Sequence, residues 1–292
     1  MSTEATAQPG ILKGLSEIAS DYDAILCDVW GVIHNGRKAF YSACDALVRF
    51  RADGGRVALI TNAPVPKAQV IRYFDPLGVP AGAFDDCVSS GDATRAELAN
   101  WTGRKVWRMG ADEGWEHDRF LYEGLDVDLI DAQPGAELLL CIGLRDQGRD
   151  DPEAYREELR PGAERGLPML CANPDIQVRV GDRLYWCAGA LARIYEEMGG
   201  PVIYPGKPHA AIYDLAYAKL EAVGPALDKA RVLAIGDGPA TDIEGAAAQG
   251  VDALYVGTGL AQHDGGDFAS GAADLLREAG TMARYAMPAL AW

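Results

Sequence analysis

The segment AILCDVWGVIHNG, residues 24–36, sets the fold class because an apolar strand ends there in a carboxylate and a turn. Residues 24–30 have the length and apolar character of a buried β-strand. Asp28 lies near the end of that run and Gly31 follows it, so the carboxylate is placed at a strand terminus beside a tight turn. Such a carboxylate is a candidate nucleophile or metal ligand, but many strands end in Asp, and the interpretation therefore depends on residues elsewhere in the chain.

Seven further apolar runs follow the first one, with helix-like stretches such as 42–54, 210–224 and 242–250 between them. This alternation predicts parallel sheets with crossover helices, the α/β class. Open α/β sheets bind ligands at the carboxyl ends of their strands, so the polar residues that end each run are candidate site residues. The eight runs are 24–30, 56–63, 105–110, 137–143, 168–175, 202–207, 231–238 and 253–259.

Two of these runs end in residues that suit a bound anion. The second run ends with Thr61 and Asn62, whose hydroxyl and amide groups can donate hydrogen bonds to phosphate oxygens. Both residue types are also common in turns and helix caps. The sixth run ends with Lys207 between a glycine and a proline, where it supplies a mobile positive charge for phosphate or carboxylate. An exposed loop lysine is the alternative interpretation.

A pair of carboxylates lies at and just after the end of the seventh run, in the segment LAIGDGPATDIEGA. Asp237 and Asp242 flank a glycine-containing turn between a predicted strand and a predicted helix. Two carboxylates on one such turn suit the oxygen coordination that Mg²⁺ prefers. An acidic turn with a helix-capping Asp is the alternative, and we favour the metal site.

The order and spacing of these residues resemble the four motifs of the haloacid dehalogenase superfamily. The match consists of an aspartate on the first strand, a threonine on the next, a lysine, and a GDxxxxD segment. The stretch between Thr61 and Lys207 is too long for one connection and predicts an inserted domain. With CANPD at 171–175 ahead of YPGKP, it resembles the class IIA branch, the NagD-like and p-nitrophenyl-phosphatase-like enzymes.

The resemblance implies a Rossmann-like parallel-sheet core with an inserted α/β cap domain of the class IIA type. We expect residues 1–89 and 199–292 to form the catalytic core and residues 90–198 to form the cap. The cap is expected to select the substrate.

The same resemblance implies roles for the motif residues of the core. Asp28 matches the nucleophile that becomes an aspartyl phosphate, and it is also a ligand to Mg²⁺. Asp237 and Asp242 match the acidic metal ligands. Trp30 stands at the position whose backbone carbonyl contributes to the metal.

The remaining candidate residues serve the phosphate and the substrate. Thr61 and Asn62 match the phosphate-binding strand end, and Lys207 matches the catalytic lysine that steadies nucleophile and phosphate. Asn173 and Asp175 lie, by this interpretation, at the last strand end of the cap and face the leaving group; a stiff NPD turn is the equal alternative.

One position departs from the family pattern. Phosphatases of the family carry Asp two residues after the nucleophile, where it protonates the leaving alcohol and later activates water. This chain has Trp30 there, and an indole has no useful acid or base function. Positioned acid–base groups contribute about 10²–10⁴-fold in rate. His34 is a candidate substitute because imidazole titrates near neutral pH, with a surface histidine as the alternative.

These observations predict a Mg²⁺-dependent phosphatase-type hydrolase of a small phosphorylated metabolite, a sugar phosphate or another phosphate ester. One alternative is a phosphometabolite-binding protein with little or no turnover. The other is hydrolysis of carbon–halogen bonds, whose enzymes carry a tyrosine at the position of Trp30 but lack the acidic pair Asp237 and Asp242.

The composition limits the partners. Asp and Glu number 43 against 27 Lys and Arg, for a net charge of −16, which disfavours nucleic acid and anionic membranes. The six cysteines form no CxxC pair, and several lie in apolar runs, which predicts reduced, mostly buried thiols. The N-terminus does not resemble a signal peptide, and no apolar run has the length of a membrane span, so we expect a cytoplasmic protein. The sequence does not determine the oligomeric state, and a homo-oligomer is one possibility.

Overall fold

The computed structural model describes residues 8–111, 117–180, 183–258 and 267–292. The chain forms two compact units. The first consists of residues 1–60, 72–87 and 213–292, and the second of residues 61–71 and 88–212.

The strands of the described residues form a seven-stranded sheet, a five-stranded sheet and a two-stranded hairpin. They are β1 (Gly10–Ile11), β2 (Ala24–Asp28), β3 (Arg56–Thr61), β4 (Asp86–Ser89), β5 (Lys105–Met109), β6 (Asp128–Ile130), β7 (Leu138–Cys141), β8 (Met169–Cys171), β9 (Gln177–Val180), β10 (Arg183–Trp186), β11 (Val202–Ile203), β12 (Val232–Gly236), β13 (Asp252–Val256) and β14 (Tyr285–Met287).

The helices lie between these strands, as crossover connections of parallel sheets require. They are α1 (Tyr41–Ala52), α2 (Lys67–Arg72), α3 (Phe74–Leu77), α4 (Ser90–Leu98), α5 (Arg156–Glu164), α6 (Ala188–Glu197), α7 (Ala210–Glu221), α8 (Glu244–Gln249) and α9 (Phe268–Glu278). None of the helices in the described part of the chain is both long and apolar enough to span a bilayer.

The seven-stranded sheet has the order β1-β14-β13-β12-β2-β3-β4. Strand β2 is parallel to both β12 and β3, with Cys27 opposite Ile235 and Asp28 opposite Ile60. All five residues of β2 are buried, which accounts for its continuous apolar sequence up to Asp28. The carboxyl ends of β2 and β12 therefore lie side by side, and Asp28 is at that edge.

The five-stranded sheet of the second unit is also parallel, in the order β11-β8-β7-β5-β6. Alternate residues of its strands enter two different cores. Trp107 and Leu139 pack with residues of α5 and α6, whereas Val106 and Leu138 pack with Leu98 of α4. Burial on both faces explains why this segment also carries apolar runs.

The predicted fold class is confirmed: the chain is an α/β protein with a Rossmann-like parallel-sheet core and an inserted α/β segment. The predicted domain bounds stay a prediction, and the compact units differ from them in detail. Residues 61–71 and 199–212, which the sequence assigned to the core, group with residues 88–198.

Each of the eight predicted runs overlaps a strand of the described chain, and all eight strands end one to four residues before the run does. The last residue of the eighth run, Gly259, lies outside the described residues. The sequence did not indicate β1, β4, β6, β9, β10 or β14, which are at most four residues long. All six cysteines are buried, as the apolar runs around several of them predicted.

Candidate active site

Three carboxylates meet at the carboxyl ends of β2 and β12. Asp28 ends β2, Asp237 directly follows β12, and Asp242 lies in the helical turn Pro239–Ile243 ahead of α8. Each offers a carboxylate oxygen, and these oxygens all lie within 4.8 Å of one another. Asp28 and Asp242 are buried, at 5% and 4% exposure, and Asp237 is half-buried. The three carboxylates that the sequence predicted as metal ligands are therefore neighbours.

Glycines make room for this acidic cluster. A Cβ atom on Gly31, whose φ is +87°, would lie 2.4 Å from Asp237 Oδ2, and one on Gly236 would lie 2.1 Å from Asp242 Cγ. The backbone N–H of Gly238 donates to Asp242 Oδ2 over 3.0 Å, which fixes that carboxylate on the turn. The two turns that carry the cluster are thus shaped around their carboxylates.

Sequence reasoning missed Thr258, which follows β13. Its hydroxyl donates to the backbone carbonyl of Gly31 and so holds the turn beyond Asp28. The signal was present, because Thr258 is a polar residue just past a strand end on the same sheet edge.

The acidic cluster fits a hard divalent cation. Two carboxylate charges no more than 4.8 Å apart repel each other by about 3 kcal/mol or more at an effective dielectric constant of about 20. A cation relieves that repulsion, and carboxylate oxygens are the ligands that Mg²⁺ and Ca²⁺ prefer. The donor set at Asp28, Asp237 and Asp242 therefore has the chemistry of a metal site.

The variant Gly31→Ala tests how closely the turn is fitted to Asp237. We expect a loss of about 1–2 kcal/mol in the free energy of unfolding from the positive φ, together with weaker Mg²⁺ binding because Asp237 is displaced. Gly54→Ala is the matched control: its φ is +95°, and no atom lies within 4 Å of the added Cβ. Equal Mg²⁺ affinity of the two variants, measured by calorimetry, would contradict the fitted turn.

Trp30 is held in a slot of its own loop. A Cβ atom on Gly36, whose φ is +78°, would lie 2.4 Å from Trp30 Cη2, so the indole ring lies directly against that backbone. The imidazole of His34 meets the indole edge to face, with ring centroids 5.3 Å apart. Trp30 itself is half-buried. The loop after Asp28 is thus built around the Trp30 indole.

The interpretation of His34 as a surface residue is wrong, since only 5% of it is exposed. Burial lowers the pKa of His34 to about 4, so the imidazole is neutral at pH 7. Its Nδ1 accepts a hydrogen bond from the backbone N–H of Gly36. A neutral imidazole in this role stabilises the loop and is a poor general acid at neutral pH.

A second polar cluster lies within the other unit and joins Asn62, Asp175 and Lys207. The Asn62 amide nitrogen donates to Asp175 Oδ1 over 2.8 Å and to the Lys207 carbonyl over 3.1 Å. The Lys207 backbone N–H donates to Asn62 Oδ1 over 2.7 Å. Asn62 and Lys207 are 4% and 2% exposed. Residues far apart in sequence therefore form one buried network.

Two neighbours of this cluster were not among the predicted site residues. A Cβ atom on Gly206 would lie 2.6 Å from Asn62 Oδ1 and 2.7 Å from the hydroxyl of Ser90. That hydroxyl donates to the carbonyl of Ala172 over 2.7 Å. The PGK sequence indicated a rigid loop, but only the folded chain shows that Gly206 is required by close packing.

The other predicted binding residues form local turns. Thr61 is buried, and its hydroxyl accepts a 3.3 Å hydrogen bond from the N–H of Ala63. Asn173 Oδ1 accepts one from the N–H of Asp175 over 3.1 Å, the stiff turn that the sequence offered as the alternative. The interpretation of this strand end as the last one in the inserted segment is wrong, because β9, β10 and β11 follow it.

Comparison with known proteins identifies the family. A family model described as haloacid dehalogenase-like hydrolase matches residues 25–118, and a second, HAD-hydrolase-like model matches residues 204–278. The crystal structure of a hydrolase of the haloacid dehalogenase-like family from Brucella suis 1330 is 41% identical, with a TM-score of 0.84. The alignment covers 96% of this chain and 100% of that one. The chain belongs to the haloacid dehalogenase-like hydrolase family.

More distant structures share the fold. A p-nitrophenyl phosphatase from Archaeoglobus fulgidus is 19% identical, with a TM-score of 0.70 over 92% of this chain and 97% of that one. A glycerol phosphate phosphatase from Mycobacterium tuberculosis, in complex with magnesium, is 24% identical, with a TM-score of 0.62 over 84% of this chain and 71% of that one. No curated protein matches the chain. The core with its inserted α/β segment places the chain in class IIA of the family.

Proposed function

We propose that this chain is a Mg²⁺-dependent phosphatase that hydrolyses a small phosphorylated metabolite through Asp28. The observation that carries the proposal is the acidic cluster, in which a strand-end aspartate lies with two further carboxylates within 4.8 Å. Membership of a hydrolase family supports it, as do the phosphatase names of the structural neighbours. The magnesium complex of the glycerol phosphate phosphatase supports Mg²⁺ as the cation.

In the proposed reaction an Asp28 carboxylate oxygen attacks phosphorus in line with the leaving oxygen. A bond forms between that oxygen and phosphorus, and the bond from phosphorus to the leaving group breaks. Water then attacks phosphorus and the bond from phosphorus to the Asp28 oxygen breaks, so that inorganic phosphate leaves with the protons of the water and Asp28 returns to its carboxylate form. Lys207 supplies positive charge to the phosphoryl oxygens, and the Thr61 hydroxyl is a donor to them. Asp28, Asp237 and Asp242 would hold Mg²⁺, which would neutralise negative charge on the phosphoryl group.

The preferred substrate class follows from Trp30. The indole cannot donate a proton to the leaving oxygen, and His34 is neutral at pH 7. Leaving groups that depart as stable anions, such as aryl and acyl oxygens, need no proton and lose least from this change. We therefore propose a phosphate ester or acyl phosphate with a good leaving group, and a sugar phosphate as the more demanding substrate.

A second candidate function is a phosphometabolite-binding protein with negligible turnover. The same indole favours it, because the acid–base group is missing while the acidic cluster and the lysine are retained. Hydrolysis of a carbon–halogen bond is less well supported, since its enzymes lack the acidic pair. Tight ligand binding without phosphate release would favour the binding protein.

Removal and return of the metal tests the proposal with p-nitrophenyl phosphate as substrate. EDTA is expected to abolish phosphate release and Mg²⁺ to restore it. At about 100-fold its Kd, Mg²⁺ should raise the free energy of unfolding by about 2.7 kcal/mol. Asp237→Ala should lose both responses, and without metal it should be at least as stable as the native chain because one repelling charge is gone. Asp274→Ala, which removes an exposed charge on α9, is the control.

Full phosphate release by the native chain in EDTA would contradict the metal dependence and the proposed function with it. Binding of Mg²⁺ without any turnover of aryl, acyl or alkyl phosphates would leave the binding protein as the better account.

A further inference from the structure

The side-chain amide of Asn62 has a single workable orientation. Its nitrogen carries two hydrogens, one directed to Asp175 Oδ1 and the other to the carbonyl of Lys207. Its oxygen accepts from the Lys207 N–H. The reversed amide would place its oxygen against two acceptors and its N–H group against a donor. Since a carboxylate can only accept, Asp175 fixes which way the amide faces.

The Asn62 amide forms hydrogen bonds with both backbone groups of Lys207, its N–H and its C=O. Asn62 accepts a hydrogen bond from the N–H and donates one to the C=O. A residue on a neighbouring β-strand would form the same pair of bonds. The preceding residue is also packed closely, because a Cβ atom on Gly206 would lie 2.6 Å from Asn62 Oδ1 and 2.7 Å from the Ser90 hydroxyl. Asn62 and Lys207 are both buried, so water does not replace these bonds freely. The position of the Lys207 backbone is therefore set by Asn62.

We infer that Asn62 is a positioning residue for Lys207, and that Asp175 holds the Asn62 amide in the orientation that bonds the Lys207 backbone. Both amide hydrogens of Asn62 are already directed to protein acceptors, so the residue acts through the lysine, and phosphate oxygens are contacted by other groups. The inference rests on the proposed function for the role of Lys207 at the phosphate. The hydrogen bonds between Asn62 and the Lys207 backbone do not depend on that function.

Hydrogen exchange at the Lys207 backbone amide tests these hydrogen bonds. It is measured by mass spectrometry on peptide fragments whose ends lie on either side of Lys207. Asn62→Ala should speed exchange there by about tenfold or more, because a buried hydrogen bond is lost. Ser90→Ala is the matched control, since it removes a buried bond beside the same loop and leaves the Lys207 N–H bonded. Unchanged exchange in Asn62→Ala, or equal acceleration in both variants, would overturn the inference.

The consequence for the site is tested by a double-mutant cycle of Asn62→Ala and Lys207→Met. The readouts are the Kd of inorganic phosphate with Mg²⁺ present and kcat and KM for p-nitrophenyl phosphate. Asn62→Ala should weaken phosphate binding about tenfold in the native background, as the loss of one hydrogen bond implies. It should change binding less than about twofold when the lysine is absent. The same loss in both backgrounds would show direct contact with phosphate and overturn the inference.

A donor–acceptor exchange completes the test. Asn62→Asp sets two carboxylates against each other and should lose phosphate affinity and protection of the Lys207 amide. Adding Asp175→Asn returns a donor to that contact and should recover part of both; no recovery would overturn the role of Asp175. If the native chain neither binds phosphate nor releases it, the proposed function fails, while the exchange measurements still decide whether Asn62 positions Lys207.

Discussion

Replacement of Asp28 by Asn is expected to reduce phosphate release by at least about 10³-fold while the chain stays folded. The amide keeps the shape of the carboxylate but cannot attack phosphorus. It also removes one of three mutually repelling charges, so the metal-free variant should be at least as stable as the native chain. Measurement of kcat with p-nitrophenyl phosphate, together with thermal unfolding, checks both expectations.

Two further measurements make the role of Asp28 specific. Acid quenching during turnover should trap a phosphoryl group on the peptide that contains Asp28 in the native chain and on none in the variant. Asp21→Asn, which changes an exposed aspartate ahead of β2, should behave as the native chain does. If Asp28→Asn keeps more than a few per cent of turnover with normal stability, Asp28 is not the nucleophile.

The acidic cluster was predictable because it depends on local rules. Asp28 and Asp237 follow apolar runs of strand length, and β2 and β12 are parallel neighbours, so their carboxyl ends had to share an edge. Asp242 reaches the same place because a helical turn directly after β12 brings the chain back. Strand periodicity and glycine placement made each of these residues a candidate, and the resemblance to the haloacid dehalogenase motifs grouped the three.

The network around Lys207 was not predictable in the same way. Asn62, Asp175 and Lys207 were each proposed to bind substrate, but the hydrogen bonds among them depend on three separate loops meeting. An amide at a strand end is equally suited to phosphate, to a turn or to another backbone. Only its actual partners decide among these.

The packing around Trp30 could also not be predicted from the sequence. The pattern VIHNG suggests a polar surface turn, and periodicity does not show that His34 packs against an indole and loses its exposure. The hairpin of β9 and β10 was missed although β9, QVRV, alternates polar and apolar residues, because each strand has only four residues and neither is fully buried. Both features arise from packing between segments that are individually ambiguous.

Substitution of Trp30 by Asp is expected to raise kcat for an alkyl phosphate, with glycerol phosphate as the probe, by up to about 10²-fold. The carboxylic acid would stand where the family places its proton donor. Turnover of p-nitrophenyl phosphate should change much less, because its leaving oxygen departs as a stable anion. The ratio of the two rates is therefore the informative quantity.

The gain competes with a structural loss. The indole fills a slot against Gly36 and His34, so its removal leaves a hole beside a positive-φ glycine. The ring is only half-buried, and we expect a cost of about 2 kcal/mol, below the ~3–5 kcal/mol of a fully buried aromatic ring. Thermal unfolding must accompany the kinetics, so that a low rate is not mistaken for a missing proton donor.

The variant Trp30→Asn separates the effect of an added proton donor from the effect of the cavity that the indole leaves. It has nearly the size of Trp30→Asp and leaves the same space beside Gly36, but it cannot donate an acidic proton. A higher alkyl-to-aryl rate ratio in Trp30→Asp than in Trp30→Asn shows that leaving-group protonation limits the native enzyme. If the two variants are equally active, or if the native chain already hydrolyses glycerol phosphate at ordinary rates and neither variant improves it, another group supplies the proton. The indole would then serve the loop, by its packing against His34 and Gly36, and would not set the choice of substrate.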